Sequence, residues 1–272
     1  MNTPLARRSG IGQAATTSVF AALIGIFLVF MLLPTATLVL SGGAEGVRLL
    51  GRDSELRGAL ALTLGCATAA TLLAVVGGTP LAYLLARGRF PGHSVIAALV
   101  DLPLLIPHPV AGIALLLALG RQTAAGSVLA ALGTRITGSA TGIVAAMTFV
   151  AAPLFVAAAR EAFEQVDPRL EGVARTLGDS RYRALRRVTL PLASRGLLAA
   201  SIVMWSRAAS EFGAIVVLTY NPKVASVLSY DRFTASGLNG ALPVAAVLVL
   251  IAIIPLVVLR ALRPNHPREI SE

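Results

Sequence analysis

The sequence predicts an all-α integral membrane protein with six transmembrane helices. Hydrophobic residues make up 56% of the 272 residues and charged residues only 13%, with a mean hydropathy of +0.80. A soluble fold of this length could not bury so much apolar surface, because too few polar residues remain to cover it. The apolar runs also exceed the roughly 9–11 residues of a membrane β-strand and show no polar alternation, so the spans must be helices.

Two spans are predicted before residue 90. The first, residues 19–40, is longer than the apolar core of a signal peptide, about 7–15 residues, and we expect Pro34 to kink it. A short external loop of mixed charge, residues 42–57, precedes the second span at residues 59–86. The Gly-Gly-Thr-Pro sequence at 77–80 should break this second span. Because irregular backbone at membrane depth is tolerated only against protein or a cavity, the break should face the bundle interior.

Four further spans are predicted at residues 95–119, 140–159, 197–220 and 241–259. The first of these contains Pro103, Pro107 and Pro109, and it must be irregular there because each proline removes a backbone hydrogen bond and clashes with the preceding turn. The polar stretches between spans, residues 121–138 and 221–240, are expected to be external. The chain then divides into an N-terminal tail, first helix and loop at 1–58, a core domain at 59–260 and a tail at 261–272.

The distribution of positive charge predicts that both termini are cytoplasmic. With the N-terminus inside, fifteen of the 23 Lys and Arg residues fall in cytoplasmic segments and seven in external loops, as the positive-inside rule requires. Eight of the fifteen lie in residues 160–196, a long polar interval. The net charge of +10 therefore reflects membrane orientation, and no nucleic-acid partner is expected.

Residues 160–196 are predicted to contain two short helices. Asp167 is a suitable N-cap and Pro168 a suitable first residue for a helix over 169–177, which should end at Gly178 in a left-handed conformation.

The second short helix should cover residues 181–188. Asp179 or Ser180 would cap it, and it should end before Pro191, which disfavours helical backbone in the residue that precedes it. The apolar residues of the first helix share one face, because they are spaced by three and four: Leu170, Val173, Ala174 and Leu177. Arg169 and Arg175 fall elsewhere on that helix.

The spacing within this segment resembles the cytoplasmic EAA loop of binding-protein-dependent ABC importer permeases. That pattern is E-A-A, three residues, Gly, nine residues, then I-x-L-P. Gly178, Leu190 and Pro191 match it, Val188 replaces the isoleucine, and the triplet positions hold Gly172, Val173 and Ala174, with Glu171 one residue earlier. The ATPase-coupling residues that we expect are Leu170, Glu171, Val173, Ala174, Arg175, Leu177, Gly178, Val188, Leu190 and Pro191.

The resemblance implies a type I ABC importer (MetI-like) permease fold and a division of labour between subunits. Two permeases, here two copies of this chain, would sit on two cytoplasmic ATPase subunits, and an extracytoplasmic binding protein would deliver the solute. This chain lacks the motif G-x-x-x-x-G-K-[ST] and has no evident catalytic constellation, so we expect it to bind no cofactor and to catalyse no reaction. ATP and Mg would bind the partner ATPase, whose closure would alternate access across the cell membrane.

Other stretches are similar to oxyanion permeases. Residues 78–87 and 101–103 look like the second and third spans of molybdate, tungstate and sulfate permeases, and residues 107–113, 210–214 and 230–238 look most like the molybdate/tungstate branch. The expected function is therefore tungstate or molybdate import. Sulfate or thiosulfate import is an alternative. A secondary transporter independent of ATP is a further one, although the sequence offers no paired breaks in corresponding halves.

Six polar residues are candidates for the translocation pathway: Thr79, His108, Ser206, Arg207, Ser210 and Glu211. Hydroxyl donors suit a tetrahedral dianion that must also be released. Arg207 and Glu211 are four residues apart and can pair, either along the pathway or as a neutralised pair that fixes helix packing. No metal site is expected, because His108 has no His or Cys at helical spacing and Cys66 is the single cysteine.

Overall fold

The computed structural model describes residues 8–88 and 90–262, and the predictions for residues 1–7, Arg89 and 263–272 lie outside this part. The described chain is helical without strands. Its elements are α1 Arg8–Arg52, α2 Ser54–Arg87, α3 His93–Leu105, α4 His108–Leu119, α5 Ala124–Ala131, α6 Ala140–Glu164, α7 Pro168–Thr176, α8 Arg181–Ala184, a π-helical turn Leu185–Thr189, α9 Leu190–Ala209, α10 Gly213–Leu218 and α11 Ala225–Leu262. Five helices are long and apolar enough to cross a membrane, and the count is six if the bent pair α3 and α4 is taken as one span. This confirms the predicted helical membrane protein.

The core of the bundle forms where α2, α6 and α9 meet. Small side chains of α2, such as Ala67 and Ala70, are fully buried and let its backbone approach α6 closely. The predicted break at 77–80 is wrong, because α2 runs unbroken through Pro80. Gly78 lies where α2 and α6 are in close contact, because a Cβ at this position would lie only 2.9 Å from the ring of Phe155 in α6.

The first helix is longer than predicted. Its helical backbone passes Pro34 and continues to Arg52, and α2 starts immediately after the N-cap Asp53, so no loop covers 42–57. Tertiary packing outweighs the low helix propensity of glycine here. Gly42 and Gly46 lie against α11, and a Cβ on either would fall 2.5 Å from the backbone oxygens of Leu242 and Pro243, respectively.

We expect Gly46→Val to weaken the contact between α1 and α11. The added side chain must displace the backbone at Pro243, so the free energy of unfolding should fall by about 1–3 kcal/mol. Thermal inactivation of the purified complex measures this loss. Gly25→Val is the matched control, because a Cβ at Gly25 meets nothing within 4 Å. Equal inactivation temperatures for the two variants would contradict the packing argument.

The third predicted span is a bent pair of helices, as its prolines require. Helix α3 ends at Leu105, α4 begins at His108, and their axes differ by 115°. Pro107 is the N-cap residue of α4 and Pro109 lies in its first turn, where a missing N–H removes no helical hydrogen bond. Pro103 is accommodated inside α3. The predicted irregularity is confirmed and lies at Ile106 and Pro107.

The fifth predicted span is divided differently from the prediction. The second short helix does not end before Pro191. It passes from α8 through the π-helical turn directly into α9. In that wide turn the N–H of Leu190 bonds to the carbonyl of Leu185, five residues earlier, and the wider turn leaves room for the proline ring. Helix α9 then ends at Ala209, and α10 follows after a break.

The polar stretches predicted as external are partly helical. Helix α5 lies within residues 121–138, and α11 begins at Ala225 rather than at 241. Helix α11 is kinked at Gly237, which adopts φ 67° and ψ −157°, and this kink separates a short first part from the long apolar part. The fourth predicted span is confirmed as α6, which extends to Glu164.

The bundle has two distinct ends. The α7 end contains the last residues of α2 and α6 and the start of α9. The opposite end, here the Asp53 end, is held by ion pairs from Arg232 to Asp53 and from Lys223 to Asp231 at 2.6 Å. The hydrogen bond from Leu56 N–H, together with Arg232, holds the pKa of Asp53 below its ordinary value. Asp53 therefore stays ionised and also caps α2.

Candidate functional site

Helix α7 forms as its local sequence predicts. Asp167 is the N-cap and accepts the N–H of Arg169 at 2.9 Å, and Pro168 occupies the first turn. Gly178 ends the segment with φ +97°, a conformation that favours glycine because it has no Cβ. Ser180 caps the next helix by accepting the N–H of Arg183 at 3.3 Å. Both predicted caps are confirmed.

The apolar face of α7 is exposed to solvent. Leu170, Val173 and Leu177 are 45%, 57% and 84% exposed, and no residue of α7 is buried. Ala174 is half-buried, and Arg175 and Gly178 are exposed. Two large apolar side chains on α7 and a third on its C-cap residue Leu177 make a patch of the kind that another protein covers. We call Leu170, Val173 and Leu177 the α7 apolar face.

Glu171 points the other way, into the bundle. Its Oε1 accepts the Thr189 hydroxyl at 2.8 Å and Arg87 Nε at 3.1 Å, and its Oε2 accepts the Tyr83 hydroxyl at 2.9 Å. Arg87 also donates to the carbonyl of Val166. We call Tyr83, Arg87, Glu171 and Thr189 the Glu171 cluster; it ties α7 to the end of α2 and to the π-helical turn.

The Glu171 cluster is largely sheltered from water. The side chains of Arg87 and Glu171 are 10% and 14% exposed, and Thr189 is fully buried. Burial raises the pKa of Glu171, but hydrogen bonds from Thr189, Tyr83 and Arg87 outweigh this effect and hold that pKa below its ordinary value. Ionised Glu171 therefore stabilises the folded protein above the ordinary pKa of a glutamate carboxyl group. This stabilisation is lost as the pH falls through the lowered pKa of Glu171.

The sequence analysis missed Tyr83, Arg87 and Thr189. They lie 88, 84 and 18 positions from Glu171, so no spacing rule connects them. A usable signal was the position of Arg87 at the last turn of an apolar span. The remaining predicted coupling residues are Val188 in the π-helical turn, which is half-buried, and Leu190 and Pro191 at the start of α9, which are half-buried and exposed, respectively.

A second polar cluster lies where α3 bends into α4 and α9 gives way to α10. Glu211 Oε2 lies 2.9 Å from His108 Nδ1 and 3.0 Å from Arg207 Nη2. Arg207 Nη2 lies 2.7 Å from His108 Nε2. Arg207 Nη2 also lies 2.9 Å from His108 Nδ1, so this guanidinium nitrogen faces the imidazole ring as a whole, and Nδ1 donates to Glu211 when it carries the proton. We call His108, Arg207 and Glu211 the bend cluster.

The structure therefore brings together three of the six pathway candidates, with Ser210 beside them. Ser210 Oγ lies 3.5 Å from Arg207 Nη1. Ser206 donates to the carbonyl of Ile202 within α9, and it lines a groove of about 230 Å³ between α2, α9 and α11. Thr79 is half-buried on α2, and within residues 8–88 and 90–262 it forms no hydrogen bond to the bend cluster.

Two glycines allow close packing of α4 and α10 around the bend cluster. A Cβ on Gly112 would lie 2.6 Å from the carbonyl oxygen of Ala214, and a Cβ on Gly213 would lie 2.7 Å from the Cβ of His108. Oε1 of Glu211 accepts the N–H of Ala214 at 2.8 Å, which fixes the start of α10. The carboxylate is thus held by α4, α9 and α10 together.

Residues 8–88 and 90–262 contain no group of three or more His, Cys, Asp or Glu side chains that could hold a metal ion. The fold is that of a type I ABC importer permease. The structure of a bacterial ABC transporter that imports the acidic polysaccharide alginate matches with a TM-score of 0.70, at 18% identity, over 94% of this chain and 97% of that one.

Residues 78–268 match the family described as binding-protein-dependent transport system inner membrane component, and the chain belongs to this family. The molybdate/tungstate transport system permease protein WtpB of Thermococcus kodakarensis is 41% identical over 90% of this chain and 95% of its own length. The sulfate transport system permease protein CysT of Salmonella typhimurium is 30% identical over 74% of this chain and 77% of its own length. The chain is thus a multi-pass cell-membrane transport component rather than a catalytic subunit.

Proposed function

We propose that this chain is the permease subunit of an ATP-driven importer of molybdate or tungstate. The observation that carries the substrate class is the 41% identity with the molybdate/tungstate permease of Thermococcus kodakarensis over nearly the whole of both chains. The sulfate permease is more distant, so sulfate import is the second candidate. ATP and Mg would bind a separate ATPase.

The proposal assigns α7 to the ATPase partner. Its apolar face points away from the bundle, while Glu171 on the same helix is bound inside it. A partner that pushes on this face would move the end of α2 and the π-helical turn with it, since the Glu171 cluster joins all three. Two ATPase subunits and a second permease copy complete the proposed membrane complex, with the α7 end in the cytoplasm. An extracytoplasmic oxyanion-binding protein would dock at the Asp53 end.

Helix α9 offers a route from α7 to the bend cluster. It begins one residue after Thr189 and carries Arg207 near its other end. Its 20 residues extend about 30 Å, which is the thickness of a membrane hydrocarbon core. A rigid shift at the α7 end would therefore move Arg207 relative to α4. This movement is the proposed link between ATPase closure and access through the membrane.

The experiment is reconstitution of the permease with its ATPase and binding protein in proteoliposomes. ATP hydrolysis and oxyanion uptake are measured with the binding protein loaded with tungstate, molybdate or sulfate. The proposal expects molybdate or tungstate to stimulate both activities more than sulfate does. Uptake without ATPase would contradict it and would favour a secondary transporter.

We expect Leu177→Ser to weaken ATPase binding. Burial of one large exposed apolar side chain contributes about 1.5–3 kcal/mol, so its loss should weaken the complex about 10-fold to 150-fold. The dissociation constant of the permease and ATPase in detergent measures this change. Leu132→Ser is the matched control, because Leu132 is 74% exposed but lies after α5, away from α7. Equal affinity for the two variants would remove α7 from the proposed interface.

A further inference from the structure

The bend cluster exposes its arginine and its histidine and keeps its carboxylate buried behind them. The side chains of His108 and Arg207 are 44% and 26% exposed, whereas Glu211 is only 2% exposed. Ser210 is also exposed, and its hydroxyl donates to the carbonyl of Arg207 at 3.0 Å while lying 3.5 Å from Arg207 Nη1. A solute that approaches from the exposed side therefore meets the guanidinium of Arg207 before it meets the acid.

Glu211 uses only some of the N–H donors of Arg207. A guanidinium has five N–H donors in a rigid planar fork, and the fork matches two oxygens of an anion. Here one carboxylate oxygen of Glu211 meets one terminal nitrogen of Arg207, because the other oxygen accepts the N–H of Ala214. The second terminal nitrogen has a contact of 3.5 Å to Ser210. Arg207 therefore keeps N–H groups that can donate to a second anion.

The position of the cluster argues against a role in packing alone. His108 follows the 13 residues of α3, which place it about 20 Å from the α7 end. Ionisable groups at such depth are costly and usually face a cavity or a solute pathway. A pair that served only to fix helices would be expected to bury both partners, yet Arg207 and His108 remain accessible.

We propose that Arg207, flanked by His108 and Ser210, forms a transient binding site for a tetrahedral oxyanion dianion, and that Glu211 weakens this site by neutralising Arg207. This inference rests on the proposed function, since it assigns the residues that contact the imported solute. Weak binding is what transport needs, because a permease that held a dianion against unopposed positive charge would release it slowly. Glu211 would set the affinity low enough for release.

Arg207→Lys and Glu211→Gln test the site in the complete complex. Lysine keeps the charge that pairs with Glu211 but lacks the fork, so a packing role would survive and the oxyanion site would not. Bound tungstate is measured by equilibrium dialysis of the permease–ATPase complex without binding protein, and uptake is measured in proteoliposomes with it. His108→Gln is measured in parallel, and Arg121→Lys, at an exposed arginine after α4, is the control.

The expected result is a fall of about tenfold in the tungstate affinity for Arg207→Lys, the size that a lost charge-assisted hydrogen bond produces. Glu211→Gln should raise the affinity and slow the uptake, and Arg121→Lys should leave both unchanged. Uptake by Arg207→Lys and His108→Gln equal to that of Arg121→Lys would overturn the inference. Failure of the proposed function looks different, because the unsubstituted complex itself would then take up no oxyanion.

Discussion

Glu171→Ala should reduce the oxyanion uptake per ATP hydrolysed about tenfold or more. The substitution removes the acceptor of Tyr83, Arg87 and Thr189 and leaves a largely buried guanidinium without its partner. Breaking a buried charge pair in this way costs about 3–5 kcal/mol, and access to water near the membrane surface will reduce this cost. Helix α7 would then move without moving α2 and the π-helical turn. The ATPase and uptake rates of the reconstituted complex, measured together, give the ratio.

Glu164→Ala is the matched control for this prediction. Glu164 pairs with Arg160 at 2.7 Å near the same end of the bundle, but the two side chains are 44% and 37% exposed. Exposed pairs contribute about 0–1 kcal/mol, so this variant should keep the uptake ratio of the unsubstituted protein. If both variants lost uptake equally, general destabilisation of the α7 end would replace the coupling argument. If neither lost it, the Glu171 cluster would have no role in coupling.

Gly112→Ala should lower both thermal stability and uptake, although it adds only one methyl group. The new Cβ would lie 2.6 Å from the carbonyl oxygen of Ala214, and a backbone atom cannot move aside as a flexible side chain can. Overpacking of this kind costs about 1–3 kcal/mol. It also pushes α10 away from α4 at the point where Glu211 reaches His108. Thermal inactivation and uptake assays measure the two effects.

Gly77→Ala provides the comparison for Gly112→Ala. Gly77 lies inside α2, and a Cβ there meets nothing within 4 Å. Replacing a helical glycine by alanine in open space stabilises the helix by about 0.5–1 kcal/mol, so this variant should be at least as stable as the unsubstituted protein. A stable Gly112→Ala protein with normal uptake would show that α4 and α10 do not need their close contact.

Helix α7 was predictable because every signal that forms it is local. The cap Asp167, the first-turn Pro168 and the left-handed Gly178 lie within one short segment, and all three take their predicted places. The bend between α3 and α4 was predictable for the same reason, since the restriction at Pro107 acts on its immediate neighbours. Neither feature depends on which other helix lies nearby.

Predictions from local sequence were wrong where contact with another helix decides whether a helix continues. The Gly-Gly-Thr-Pro sequence of α2 reads as a break, but Gly78 packs against Phe155 and the helix continues. Gly42 and Gly46 read as a loop, but their contact with α11 keeps α1 helical to Arg52. In each case a glycine marks close helix contact rather than an end, and its sequence neighbours cannot distinguish the two.

The sequence by itself determined the membrane class, the approximate positions of the spans and the α7 segment, because hydrophobicity and capping act over a few neighbouring residues. It also supplied the pairing of Arg207 with Glu211, which are four positions apart. Only the tertiary structure decided that Glu171 faces inward to Arg87 and that His108 joins Arg207 and Glu211. These contacts join residues 84 and 103 positions apart in the chain. The physical reason is that a buried ion pair depends on which helices pack together, and local sequence does not specify that packing.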